Sequence, residues 1–344
     1  MTEKVRIGVI GYGFGGRFFH APLVHAGEGC VLEGVMTSSP ERRAEVAHDF
    51  PGTPCFRSLA DMRAAGIEAV AISTPAPTHG PLTVEAAALG LHVACDKPFA
   101  MNAAEARASV AAARDAGVVL SPYQNRRWDS DILTLKRLMA EGSLGRISRF
   151  ESKFERAELG IAPPPAGGGI LRDFGSHLFD QALYLFGPVT SVYAEVNVSG
   201  LYGDDDHAFF AALSHANGVS SHLTGNWWQP APGPRYRVTG STGTLIIQGE
   251  DTQHERLVSF SNPAKEGDQW GTEPEANWGR IHRGATNEVC PSERGRWDTY
   301  YPAFARAIRR EGPVPVDAAD AVASLTLIDA AFTSSEEKRT VQIG

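Results

Sequence analysis

The sequence predicts an α/β fold in two parts: a parallel sheet covered by helices, then an α/β part with an open, mainly antiparallel sheet. Three observations carry this. Short apolar, β-branched runs alternate with helical patterns over the first third of the chain. Beyond about residue 145 the runs become alternating and half-polar. A glycine-rich turn directly follows the first run.

Taken in order, "VRIGVI" (5–10), "VLEGVM" (31–36), "AVAIST" (69–74), "HVAC" (92–95) and "VVLSP" (118–122) read as strands buried on both faces. Helical patterns lie between them. In "MNAAEARASVAAARDAG", Asn102 and Glu105 have the spacing of an N-cap and its partner. Then "ISRFESKFER", "SVYAEVNV", "HAFFAALS", "VSSHLTGNW" and "RYRVTGSTGTLIIQ" read as strands with one covered face. One helix interrupts them at 173–186 and stops at Gly187-Pro188. A last helix starts near Asp317, with Asp320 three residues on, and runs to 335. "APPPAGGG" (162–169) and "APGP" (231–234) read as loops. The expected division is residues 1–121, a dinucleotide-binding part, and residues 122–344, a part for substrate binding and oligomerisation.

Composition narrows the function classes. A chain of 344 residues with 42% hydrophobic content suffices for a large core, and its length fits two domains. A net charge of -8 argues against a nucleic-acid partner, which needs clustered Lys and Arg. Cys30, Cys55, Cys95 and Cys290 are far apart and fit reduced thiols. No run approaches membrane-spanning length, and "MTEKVRIGVIGYG" enters a strand at once, so a cytoplasmic protein without a signal peptide is expected. No H-x-x-x-H or H-E-x-x-H pattern appears, and no metal is expected.

The turn "GVIGYGFGG" carries Gly11, Gly13 and Gly16 in G-x-G-x-x-G spacing, after a strand and before a helix. Gly11 allows the tight turn, Gly13 the approach of a pyrophosphate, and Gly16 close helix–strand packing. The helix N-terminus supplies N–H groups for the anion. This is a Rossmann dinucleotide site, with Gly11, Tyr12, Gly13, Phe14 and Gly16 as candidate cofactor contacts. An NAD-selective site places a carboxylate at the end of the second strand. Here "VMTSSPERR" offers Thr37, Ser38 and Ser39, then Arg42 and Arg43, which favours NADP with NAD possible.

Ligands of open parallel sheets bind beyond the carboxyl ends of the strands. "HVACDKPFA" puts Asp96 and Lys97 at such an end, where an ammonium can stabilise an alkoxide. Asp96 and Lys97 are also candidate cofactor contacts. Asp173 and His177, four apart in "ILRDFGSHLFDQALYLFG", share one helix face with Asp180 and Tyr184 nearby; Phe174, Leu178, Ala182 and Leu185 form the apolar face. His177 suits a general base and Asp173 can orient it or bind a substrate hydroxyl. Thr74, Pro75 and His79 follow a strand end, and Asn125, Arg126 and Arg127 lie at the crossover. Each either touches cofactor or substrate or pins the linker.

With these residues the chain resembles the Gfo/Idh/MocA oxidoreductases over nearly its full length, through "GVIGYGFGGRFFHAPL", "STPAPTHGPL", "HVACDKPFA", "NRRWDSDILTLKRL", "ILRDFGSHLFDQALYLFG" and "GSTGTLII". The branch it resembles is that of NADP-dependent scyllo-inositol dehydrogenases. The resemblance implies a Rossmann domain joined to an α/β domain whose open sheet forms homodimer or homotetramer contacts. It implies a polyol, inositol or sugar substrate, and catalytic roles for Lys97, Asp173 and His177, with Lys97, Arg127, Asp173 and His177 near substrate. The loop 157–168 is short and lacks the Arg and Trp of that branch. Two alternatives stand beside this. One is a dinucleotide-binding sensor of the same fold without turnover; the other is an enzyme that keeps its cofactor but whose net reaction is not redox.

Overall fold

The computed structural model describes residues 3–159, 161, 168–198, 200 and 205–344. Packing divides the chain into two compact units. One holds Met1–Asn125, Gln253–Trp270 and Arg296–Val322; the other holds Arg126–Thr252, Gly271–Gly295 and Ala323–Gly344. A single cut near residue 121 therefore describes the order of the elements, while two later segments pack back with the first unit.

In the first unit β1 (Val5–Ile10), β2 (Cys30–Met36), β3 (Cys55–Phe56), β4 (Ala69–Ile72), β5 (His92–Cys95) and β6 (Leu120–Pro122) form a wholly parallel sheet in the order β3-β2-β1-β4-β5-β6. This is the Rossmann order, in which the carboxyl ends of β1 and β4 flank the reversal of strand order. Every residue of β4 is buried, so both faces of the sheet are covered, as its unbroken apolar run requires. The connecting helices carry N-caps, of which that of Asn102 was expected. Asn102 Oδ1 accepts from Glu105 N–H at 2.9 Å, Ser39 Oγ from Arg42 N–H at 3.2 Å, and Ser58 Oγ from Asp61 N–H at 3.1 Å.

The returning segments close this unit. Tyr300 Oη donates to Ser121 O at 2.9 Å, and Ser121 Oγ donates to Val316 O at 2.9 Å. Arg309 holds the Glu68 carboxylate at 2.8 Å and reaches the carbonyls of Glu3 and Lys4, at the start of β1.

The second unit holds a nine-stranded sheet of β7 (Ile147–Glu155), β8 (Val189–Asn197), β9 (Ala208–His215), β10 (Ser220–Asn226), β11 (Tyr236–Gly240), β12 (Thr244–Ile247), β13 (Gly279–Arg283), β14 (Thr286–Cys290) and β15 (Val341–Gln342). Their order is β14-β13-β12-β11-β7-β10-β9-β8-β15. All neighbours are antiparallel except β7 and β10, which pair parallel from Arg149 opposite Ser220 to Glu155 opposite Asn226. One face buries Phe150, Val192, Phe209, Leu223, Val238 and Leu245, and the helix Gly175–Phe186 packs there against β7 and β10. The other face carries Tyr193, Arg237 and Arg280, all exposed, and the partly buried Glu151.

Two sequence readings change in detail. The helix expected as one piece over 173–186 is two, Ile170–Asp173 and Gly175–Phe186, joined at Phe174. It is also not amphipathic over its first half. His177, Asp180 and Gln181 are buried with the apolar residues; an ion pair with Arg127 replaces the water of Asp180, and a hydrogen bond from Tyr236 that of Gln181.

Candidate active site

The glycine turn is built as its spacing requires. Gly11 has φ +87°, and a Cβ there would lie 2.4 Å from Ser73 O; one on Gly16 would lie 2.0 Å from Gly11 O. A Cβ on Gly13 meets no described atom within 4 Å, so the backbone there is open to a ligand. The helix after it begins at Phe14 and runs as a π-turn from Gly15 to His20. These are the features that fit a dinucleotide pyrophosphate. Tyr12 contributes backbone only: its buried hydroxyl donates to Asp49 Oδ2 at 3.0 Å, and burial first, then Asp49, pushes the phenol well up. Phe14 is 55% exposed and packs on Phe18 and Phe19.

At the end of β2, Thr37 Oγ1 accepts from Ser39 N–H at 3.4 Å, and Ser38 is exposed. Arg43 donates to Thr37 O at 3.2 Å. Arg42 Nη1 donates to Glu45 Oε2 at 2.8 Å, while its side chain stays 42% exposed. Residues 37–39 at the strand end include no carboxylate, and Glu41, which accepts from Ser39 Oγ at 2.6 Å, is the first to follow in sequence.

Asp96 and Lys97 follow β5. Asp96 Oδ1 accepts from Lys97 N–H at 2.8 Å, and Oδ2 accepts from Ser73 Oγ at 2.9 Å. His20 Nε2 stands 3.1 Å from the same Oδ2. A Cβ on Gly15 would lie 2.8 Å from that oxygen, so the loop carrying Lys97 lies directly against the glycine turn. Burial alone would raise the Asp96 carboxyl; His20 first, then Lys97 and His79, outweigh it and hold it well below the ordinary range. The Lys97–Pro98 bond is cis. His79 is buried, with Nδ1 2.8 Å from Pro98 O and Nε2 2.7 Å from Thr74 O. Both partners are backbone carbonyl oxygens, which only accept. Its nitrogens hold the chain on either side of the site and are not turned to a ligand. Thr74 Oγ1 bonds Thr78 Oγ1 at 2.6 Å.

The second unit supplies Asp173 and His177. Asp173 ends its short helix, its N–H donating to Gly169 O at 2.9 Å and its carbonyl accepting from Ser176 Oγ at 2.9 Å. His177 opens the next helix, with its ring 6.2 Å from that of Phe154. Asp206 secures the N-terminus of the first piece, its Oδ2 accepting from Leu171 N–H at 2.6 Å. Burial pushes that carboxyl up to about 6, against the hydrogen bond from Leu171. The loop 157–168 leads to this helix; residues 160 and 162–167 of it lie outside the described residues.

The crossover residues of the sequence reading separate. Asn125 and Arg126 are buried in a 3-10 turn with Arg127. Arg126 Nη1 donates to Asp129 at 3.2 Å, and its guanidinium lies 4.7 Å over Phe154. Arg127 is bidentate to Asp180, at 2.8 and 2.6 Å, and covers Tyr184 at 4.7 Å. Arg127 thus ties the turn to the helix of His177.

Sequence reasoning missed His20, Ser73 and Tyr301 around Asp96. Only "FFH" directly after the glycine turn hinted at the first. It also missed the partly buried acid Glu250, which Arg156, Arg126 and Arg235 hold down to about 2 against desolvation. Among the described residues, no group of three or more His, Cys, Asp or Glu could hold a metal ion, and no helix is long and apolar enough to cross a membrane.

Residues 5–124 match the oxidoreductase family model with an NAD-binding Rossmann fold, and residues 132–246 match the GFO/IDH/MocA C-terminal domain. Over 99% of this chain and 97% of the relative, the sequence is 33% identical to the scyllo-inositol 2-dehydrogenase (NADP(+)) IolW of Bacillus subtilis. The chain belongs to the Gfo/Idh/MocA oxidoreductase family. A second relative, the D-apiose dehydrogenase of Paraburkholderia graminis, is 28% identical over 99% of this chain and 90% of its own. A solved Yersinia pestis protein described as an oxidoreductase superposes with a TM-score of 0.92 at 34% identity, covering 100% of this chain and 98% of that one. As a family member the chain is a dehydrogenase with a Rossmann nucleotide-binding fold.

Proposed function

We propose that this oxidoreductase prefers NADP and interconverts a secondary alcohol and a ketone on a polyol, inositol or sugar. The observation that carries the reading is the contact of two loops. The open backbone at Gly13 and the Asp96–Lys97 segment are joined by the approach of Gly15 to Asp96. Gly11, Gly13, Phe14 and Gly16 then hold the pyrophosphate, and Thr37, Ser38, Ser39 and Arg42 meet a 2′-phosphate. A bound nicotinamide supplies the acceptor or donor of hydride. The protein's own part is electrostatic and prototropic. Lys97 Nζ donates to the substrate oxygen and stabilises negative charge there, His177 exchanges the hydroxyl proton, and Asp173 orients His177 or a neighbouring hydroxyl. Relatives that act on an inositol and on a sugar support a substrate of that class.

A panel of inositols, pentoses and hexoses with NADP and with NAD, followed by absorbance of the reduced cofactor, tests the reading. Turnover of at least one cyclic polyol or sugar, faster with NADP, is expected. Tight cofactor binding with no turnover across the panel would move the chain to a sensor role.

A further inference from the structure

Three cofactor-side loops meet at one carboxylate, and a histidine closes the set from behind. Asp96 Oδ1 takes the Lys97 N–H, Oδ2 takes the Ser73 hydroxyl, and Gly15 leaves room for that oxygen against the glycine turn. His20, fully buried at the end of the π-turn, has Nε2 3.1 Å from Oδ2 of Asp96 and Nδ1 2.5 Å from the Tyr301 hydroxyl. The Nε2 contact is an ion-pair approach rather than an aligned hydrogen bond. Burial keeps the Tyr301 phenol protonated, and its hydroxyl shares one hydrogen bond with Nδ1, which leaves Nε2 facing Asp96. The His20 ring also packs at a tilt 4.3 Å from that of Tyr123, whose hydroxyl donates to Phe19 O at 3.1 Å. Phenol, imidazole and carboxylate thus stand in one row that ends at the backbone of Lys97.

We propose that His20 is a positioning residue for the reaction: by bridging Tyr301 and Asp96 it locks the Asp96 carboxylate under Gly15 and so fixes the segment from which Lys97 projects. The proposal rests on the catalytic reading of Lys97. Small displacements of a catalytic group carry large costs, because the reacting geometry must hold to within a fraction of an ångström. The charged and titratable groups around Asp96 are His20, Lys97, His79, Cys95, Tyr123, Tyr300 and Tyr301. Removing His20 removes the neighbour that most strongly favours the ionised acid, while the desolvation stays.

The test compares His20→Phe, which keeps a ring but no nitrogen, with His20→Gln, whose amide N–H stands near the place of Nε2. In His20→Phe, kcat falls about ten- to a hundredfold while KM for NADP stays within about threefold. A new loss of kcat appears on acidification between about pH 6 and 4, as Asp96 takes up a proton and stops accepting from Lys97. His20→Gln recovers kcat to within about threefold and removes the acid limb. A second readout needs no turnover. The chain has six lysines, Lys4, Lys97, Lys136, Lys153, Lys265 and Lys338, so ¹³C reductive methylation gives resolvable NMR signals, with Lys97→Arg assigning the Lys97 resonance. That resonance moves in His20→Phe and returns in His20→Gln. A Phe variant with the wild-type pH profile and an unmoved Lys97 signal overturns the proposal. Should His20→Phe fail to fold, Tyr301→Phe, which deletes only the hydroxyl, must still move the signal, and an unmoved one overturns it equally. Full turnover in Lys97→Ala would instead remove the catalytic reading while the NMR arm still reports on the lock.

Discussion

The loop of Lys97 and the helix of His177 are held by opposite electrostatic means. In the first unit one carboxylate, Asp96, gathers donors from two loops and has cations near it, so it stays ionised despite burial. In the second, Asp206 caps the helix through a backbone N–H, and burial dominates its carboxyl, which sits at about 6. The difference teaches that burial does not fix a carboxylate's state; the nearest positive charge does. It also means that the two regions respond to different pH ranges.

The largest expected effect is at the residue the first network serves. Lys97→Ala lowers turnover by about 10²- to 10³-fold, the usual cost of one oxyanion donor. NADP affinity, from fluorescence titration, stays within about threefold, because the glycine turn and the end of β2 are untouched. A parallel collapse of cofactor affinity would place Lys97 in cofactor binding instead.

The next is in the second unit, where Arg127 and Asp180 are 6% and 2% exposed. Arg127→Met strands a buried carboxylate and costs about 3–5 kcal/mol in urea unfolding, and Arg127→Met with Asp180→Leu recovers most of it. A double variant as unstable as the single would show that the pair's packing, not its charge, holds the helix.

The smallest sharpens the contrast directly. Asp206 has a folded-state value of about 6 against 3.8 for the free group. Between those values the unfolded chain has lost the proton and the folded chain keeps it, so stability falls as pH rises and levels off above pH 6. The slope amounts to at most about 3 kcal/mol. Asp206→Asn keeps an acceptor for Leu171 and flattens that slope, so its stability relative to the wild type is greater at pH 8 than at pH 4. Thermal melts across this range check it, and an unchanged slope would mean that Asp206 is ionised throughout.

The fold was legible where local pattern and global role agree. Unbroken apolar runs marked five strands of the parallel sheet, and the glycine spacing marked its turn, because each depends on neighbours close in sequence. β3 spans only Cys55 and Phe56, too short for any periodicity to show. β14 is exposed at four of its five positions, so Thr286–Cys290 lacks the apolar alternation that signals a strand. The parallel pairing of β7 with β10 is a matter of connection, which strand composition does not encode. In the site, Lys97, Asp173 and His177 stood out by motif. His20 did not, because its meaning comes from Tyr301, 281 residues further on. Arg127 read as a ligand contact, and its partner Asp180 could not be chosen from among the chain's acids by spacing alone.

That long separation gives the fold an order in time. The glycine turn emerges early from the ribosome, and the phenol that completes its support is added 281 residues after His20. Until Tyr301 and Arg309 have been synthesised, a nascent nucleotide-binding half has its sheet sequence but lacks the clasp behind Asp96 and the tie at the start of β1. The first half of the enzyme to be made is therefore among the last to be finished.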